Sequence, residues 1–187
     1  MEDPNSLDIN FHVPLTRSSP QELINSTSYK EVPVEANECM LNALLKIAVI
    51  NGIPVYQRYI NSTYTAKQAY YAVRDSAIKY SQNSSLYEKP YGGGAMTPKL
   101  GAEVGEKSNI LHGNLIKISN FNELYRLLSN PEWQYDRKCV INFTYKGESH
   151  SSICYGIKND YIKIYSTQNG NERMYSTNQY TNISIIY

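Results

Sequence analysis

The sequence predicts an α+β fold in which one buried helix packs against a C-terminal antiparallel sheet of four to five strands. Three observations predict it. ECMLNALLKIAVI is apolar nearly all round, with Met40, Leu41, Leu44, Leu45, Ala48 and Val49 at helical spacings. Beyond Trp133 the period shortens, and the chain becomes a series of brief Ile-, Val-, Tyr- and Thr-rich segments of strand character. A length of 187 residues with 41% hydrophobic content suits one compact domain with one core.

Taken in order, residues 1–31 mix Pro, Ser, Asn and Thr without periodicity, and Pro4, Pro14 and Pro20 interrupt regular structure, so they read as an extended N-terminal arm. Residues 32–187 form the single domain. Asn37 is the expected N-cap of the buried helix, and Gly52 with Pro54 supplies its stop, which puts Cys39 in the first turn. A second helix is predicted over TAKQAYYAVRDSAIKY, capped by Thr65, with Ala69, Tyr70, Val73, Ala77 and Tyr80 on its apolar face. From Gln82 to Gly105 the glycines and Pro98 predict a long irregular connection, with Gly93 in a cleft wall. The third helix, SNFNELYRLLSN, opens on Asn120 and Glu123, the spacing of a cap with its reciprocal partner. The strands are KCVINFTY, SSICYGI, YIKIYS and NISIIY, divided by Gly147, by Lys158-Asn159-Asp160 and by Asn169-Gly170-Asn171.

Composition narrows the function. Eighteen Lys and Arg against 17 Asp and Glu leave a net charge of +1, which gives no basic excess for nucleic acid. No apolar run reaches bilayer length, and MEDPNSLDIN lacks the charged-then-apolar form of a cleavable signal. The three cysteines, Cys39, Cys139 and Cys154, lack C-x-x-C spacing, so reduced thiols are expected and neither a disulfide framework nor a metal site is. YGGGAMTPKLG lacks the Lys-Ser/Thr ending of a phosphate loop, and no cofactor is expected. The 18 tyrosines fit a compositional bias and define no site by themselves.

One set of residues does point to chemistry. A cysteine at a helix N-terminus meets unpaired N–H groups and the positive dipole end, which favour a thiolate and an oxyanion. A strand histidine within reach can take the thiol proton, and a polar third residue can orient its ring. The candidates are Cys39 as nucleophile and His150 as base, with Gln168 as the first choice of orienting group and Asn169 and Ser166 as its rivals. Cys139 and Cys154 read as core side chains, and His12 and His112 as solvated ones.

Cys39 in ECMLNALLKI, His150 in GESHSSICYGI and the polar IYSTQNG after a β-turn resemble the papain-like cysteine peptidase superfamily in its bacterial effector branches. The Cys-His-Gln set is similar to that of the cycle-inhibiting-factor deamidases. The resemblance implies a papain-like catalytic domain and a thiol-dependent amide hydrolase, either protease or glutamine deamidase, with Asn37, Gly93 and Asn169 at the binding site. It further implies a bacterial toxin exported without a signal peptide, which acts on a host or target-cell protein in that cell's cytoplasm, with a secretion chaperone or secretion-machine component as a further partner. The alternative is a non-catalytic effector of the same fold that binds and inhibits a host protein.

Overall fold

A computed structural model of the chain describes residues 38–51, 66–134, 139–166, 170–176 and 179–187. The expected arm at 1–31, the caps Asn37 and Thr65, and the residues Gln168 and Asn169 lie outside them.

Helix α1, Cys39–Asn51, is the predicted central helix. Met40, Leu41, Ala43, Leu44, Leu45 and Ile47 are each at most 2% exposed, and each large apolar side chain so buried contributes roughly 1.5–3 kcal/mol. Helix α2, Ala66–Gln82, buries Tyr70, Val73 and Ala77 against it and leaves Asp75 and Lys79 in solvent. Part of the predicted irregular connection is instead a helix, α3, Pro98–Lys107. Thr97 caps it by accepting the Leu100 N–H at 3.2 Å, and Pro98 occupies the first turn, where its missing N–H costs nothing. Its glycines are contact points: a Cβ on Gly101 would lie 2.8 Å from Met40 Sδ, and one on Gly105 would lie 3.5 Å from Leu44 Cδ2. They let α3 approach α1 closely.

Strand β1, Leu115–Ile118, follows, then helix α4, Phe121–Leu128, and the short α5, Pro131–Gln134. Asn120 caps α4 as predicted by accepting the Glu123 N–H at 2.9 Å. The Glu123 carboxylate accepts the N–H of Ser119, one residue ahead of the cap, and these bonds hold its pKa below the usual carboxylate value. Four strands then run in sequence to the last: β2 (Cys139–Tyr145), β3 (Glu148–Lys158), β4 (Tyr161–Ser166) and β5 (Gly170–Tyr175), with β6 (Tyr180–Ile186) after them.

Among the described residues the sheet is antiparallel throughout and has six strands in the order β1-β6-β2-β3-β4-β5, more than the four to five expected. The two unforeseen strands are β1, only four residues long, and β5, whose sequence GNERMY carries an edge strand's charges. Lys146 and Gly147 both take positive φ, +51° and +78°, which makes the tight β2–β3 turn.

One sheet face, carrying Val140, Ile153 and Ile186, packs on α1, α2 and α3. The other carries Cys139, Ile141, Cys154, Ile164, Met174 and Ile185, and α4 fills it with Phe121, Leu124 and Leu128. In a flat sheet β5 and β6 would stand about 19 Å apart, four spacings of about 4.8 Å. Here Glu172 of β5 and Tyr180 of β6 line one cavity and interact electrostatically, so the sheet curls toward an open barrel on the side that α4 covers. The register shift between Cys154 and Gly156 marks one bend in that curl.

Candidate functional site

The helix N-terminus and the histidine are both where local sequence logic puts them, but they occupy different faces of the sheet. Cys39 is the first residue of α1 and is partly exposed. On β3, pairing with β2 is unbroken from Glu148 to Cys154, so side chains alternate strictly over that stretch. Ile153 belongs to the cluster around α1, which puts Ser151 on the α1 side and turns His150, three residues away, to the opposite face. There the His150 ring stacks on Phe143, centroid to centroid 5.5 Å. Strand parity does not set the expected pair, Cys39 and His150, on one face: the β3 position toward α1 is Ser151, whose hydroxyl donates to Asn142 Oδ1 at 2.7 Å. Sequence order and a helix N-terminus cannot fix strand parity, and a shift of one residue reverses it.

The remaining members of the predicted set divide as follows. Gln168, Asn169 and Asn37 lie outside the described residues, and of Ser166 only the backbone, at the end of β4, is described. Gly93 lies against Arg74, which pairs with Glu38, the residue before Cys39. Cys139 and Cys154 are core residues, at 1% and 3% exposure, paired in register across β2 and β3.

What surrounds Cys39 is a charged knot that the sequence did not announce. Glu38, only 3% exposed, meets Arg74 Nε of α2 at 3.1 Å and accepts the Gly94 N–H at 3.2 Å. Its other oxygen, Oε2, is buried with no hydrogen-bond partner. Tyr91 donates to the Gly94 carbonyl at 3.2 Å, and its hydroxyl is pushed up to about 12 by burial and the charge of Glu38, with Arg74 pulling the other way. Gly93 has φ +104°, and a Cβ there would collide with the Arg74 guanidinium, so only glycine lets the strap cross that close. The glycine-rich segment is thus a strap fastened over the start of α1. Glu103 of α3 accepts the Tyr87 hydroxyl at 2.6 Å and holds the same connection to α3.

His150 opens onto the mouth of the curled sheet. A cavity of about 350 Å³ is lined there by Phe143, Tyr145, His150, Ser152, Glu172 and Tyr180, among others. Tyr145 stacks on Tyr180 at 5.0 Å, and Phe143 meets Tyr180 edge-on at 5.3 Å, which gives a rigid aromatic rim. Burial, with Tyr145 and Glu172 nearby, raises the Tyr180 hydroxyl above its ordinary pKa. No family model, curated protein or solved structure matches the chain. Among the described residues no helix is long and apolar enough to cross a membrane, and no three His, Cys, Asp or Glu side chains converge as metal ligands would.

Proposed function

We propose that the chain is a protein-binding module that seats a partner's side chain in the barrel mouth, and that it does not act through a Cys39–His150 dyad. The observation that carries this reading is the parity of β3. A general base must come within hydrogen-bond reach of the proton it takes, and His150 points away from the face on which α1 packs. In its place His150 joins Tyr145 and Tyr180 around an open cavity, and tyrosines supply contact area at low entropy cost. The resemblance to effector-type proteins makes a target-cell protein the class of partner.

Two measurements test this. In a thiolate–imidazolium pair, loss of the histidine raises the thiol pKa, so alkylation near pH 6 slows sharply. The pH-rate profile of Cys39 alkylation should be the same in the wild type and in His150→Ala; a profile displaced by a pH unit or more would restore the dyad. A photoreactive side chain at position 180 should give a discrete adduct with a target-cell protein, whereas one at position 175 should not.

A second reading, thiol-dependent amide hydrolysis as a protease or deamidase, is favoured by the partly exposed Cys39 in the first turn of α1. It requires a base other than His150. Release of about 1 Da-shifted or cleaved products by the wild type and not by Cys39→Ala would establish it, since deamidation replaces ammonia with water and proteolysis splits the chain.

A further inference from the structure

On the helical side of the sheet, a groove of about 630 Å³ runs between the start of α3 and the strands β1 and β6. Three features of it converge on one kind of occupant. The first is hydrogen-bond parity. Asn114 and Tyr187 exchange both backbone bonds, at 3.0 and 3.1 Å, so antiparallel alternation gives the next bonded pairs to Ile116 with Ile185 and Ile118 with Ile183. The N–H and C=O of Leu115 and Lys117 then point away from β6, and among the described residues β1 is the terminal strand of the sheet. Both residues line the groove.

The second is charge. Among the described residues Lys99 and Lys117 line the groove and no carboxylate does, and the positive end of α3 opens into it through Thr97 and Pro98. Lys99 leans on the Leu86 carbonyl, 3.5 Å away, while Lys117 is exposed. The third is a donor in the floor. Ser184, 6% exposed and opposite Lys117 in the β1–β6 register, accepts from Asn142 Nδ2 at 3.2 Å, and among the described residues its own hydroxyl proton meets no acceptor. The apolar side chains that face it, Leu115 and Pro98, suit alternate side chains of an extended chain.

We propose that this groove binds an extended acidic peptide segment of a partner protein, added as a seventh strand alongside β1. Leu115 and Lys117 supply the main-chain ladder, and Lys117, Lys99 and the Ser184 hydroxyl receive carboxylates. Strand addition of this kind draws affinity from backbone bonds and selectivity from the pockets beside them. The groove is separate from the barrel mouth, and the two are tested independently.

The test uses the full chain and fluorescent octapeptides that alternate valine with glutamate, glutamine or lysine. The glutamate peptide should bind saturably, at least 10-fold more tightly than the other two. N-methylation of alternate peptide nitrogens should weaken it at least 10-fold, as should Lys117→Glu, while His150→Ala leaves it unchanged. Equal binding of all three peptides, indifference to N-methylation, or full affinity in a folded Lys117→Glu variant would each overturn the proposal. So would competition by millimolar inorganic phosphate as effective as by peptide, which would make the groove an anion site, or self-association that Lys117→Glu abolishes, which would make its occupant a second copy. A Lys117→Arg variant retains the charge, and it should bind within about threefold of wild type.

Discussion

Arg74 Nε lies 3.1 Å from Glu38 Oε1, and the same oxygen accepts the Gly94 N–H at 3.2 Å, so one buried carboxylate joins α1, α2 and the glycine strap. Removing the cation alone strands a buried charge, which typically costs about 3–5 kcal/mol. Arg74→Ala should therefore be strongly destabilising in denaturant titrations, and Arg74→Ala with Glu38→Gln should recover a substantial part of the loss. A double variant no more stable than the Arg74→Ala single would show that the carboxylate's charge is not the source.

The strap makes a sharper comparison. Gly93→Ala meets both a positive φ of +104° and the Arg74 guanidinium, and should cost roughly 1–3 kcal/mol. Gly92 has no neighbour within 4 Å of its would-be Cβ, and Gly92→Ala should stay within about 0.5 kcal/mol of wild type. Equal effects at the two positions would mean that the strap is not held as described.

Along α3 the two helical glycines should respond with opposite signs. Gly105→Ala places its methyl at ordinary contact distance, 3.4 Å from Leu111 Cβ, and should gain about 0.5–1 kcal/mol from helix propensity. Gly101→Ala puts the methyl 2.8 Å from Met40 Sδ, in a side chain only 2% exposed. Overpacking there should outweigh the propensity gain, for a net loss of about 1 kcal/mol or more. Thermal melts of both variants, with Met40→Leu as a background, measure this directly.

Lys46 gives a pH signature. It is 4% exposed, with Nζ 4.8 Å from the centre of the Tyr165 ring, and burial lowers its ammonium from 10.5 to about 8. Between those values the unfolded chain holds a proton that the folded chain has released, so this group's contribution to stability rises with pH and is lost as pH falls through 8. Tyr91 acts in the opposite sense, because a hydroxyl raised from 10.0 to about 12 contributes stability that is fully present below pH 10 and lost as pH rises through 12. Stability should climb from pH 8 toward 10 and then decline. Lys46→Met should remove the climb, roughly 1–3 kcal/mol, and an unchanged slope would refute the assignment.

The sequence makes the helices legible wherever periodicity and capping agree. The all-round apolar ECMLNALLKI and the Asn120–Glu123 cap both carry their outcome locally. Thr97-Pro98 is an equally good start for α3, but Gly101 and Gly105 read as breakers, because their reason, close passage of Met40 and Leu44, lies about 60 residues away. β5 was hidden by its polar side chains, which suit the rim of a curled sheet better than a core. For the site, residue types were readable and their facing was not. Nothing near His150 in sequence distinguishes it from Ser151 as the residue opposite α1; only the pairing of β3 with β2 decides that. Glu38, just ahead of α1, and Arg74 of α2 are 36 positions apart, in segments whose individual patterns give no hint of the ion pair.

The placement of β6 between β1 and β2 bears on how the chain is made. Hairpins β2–β3, β3–β4 and β4–β5 join neighbours and can close as soon as they leave the ribosome. The β1 ladder cannot, because Leu115 waits for Ile186, and the Val140 edge of β2 waits for the same residue. Until residues 180–186 have been synthesised, the nascent protein carries a half-built sheet with two strands lacking a shared neighbour. That interval is when a chaperone would be needed most, and folding in vitro should be limited by this one long-range closure.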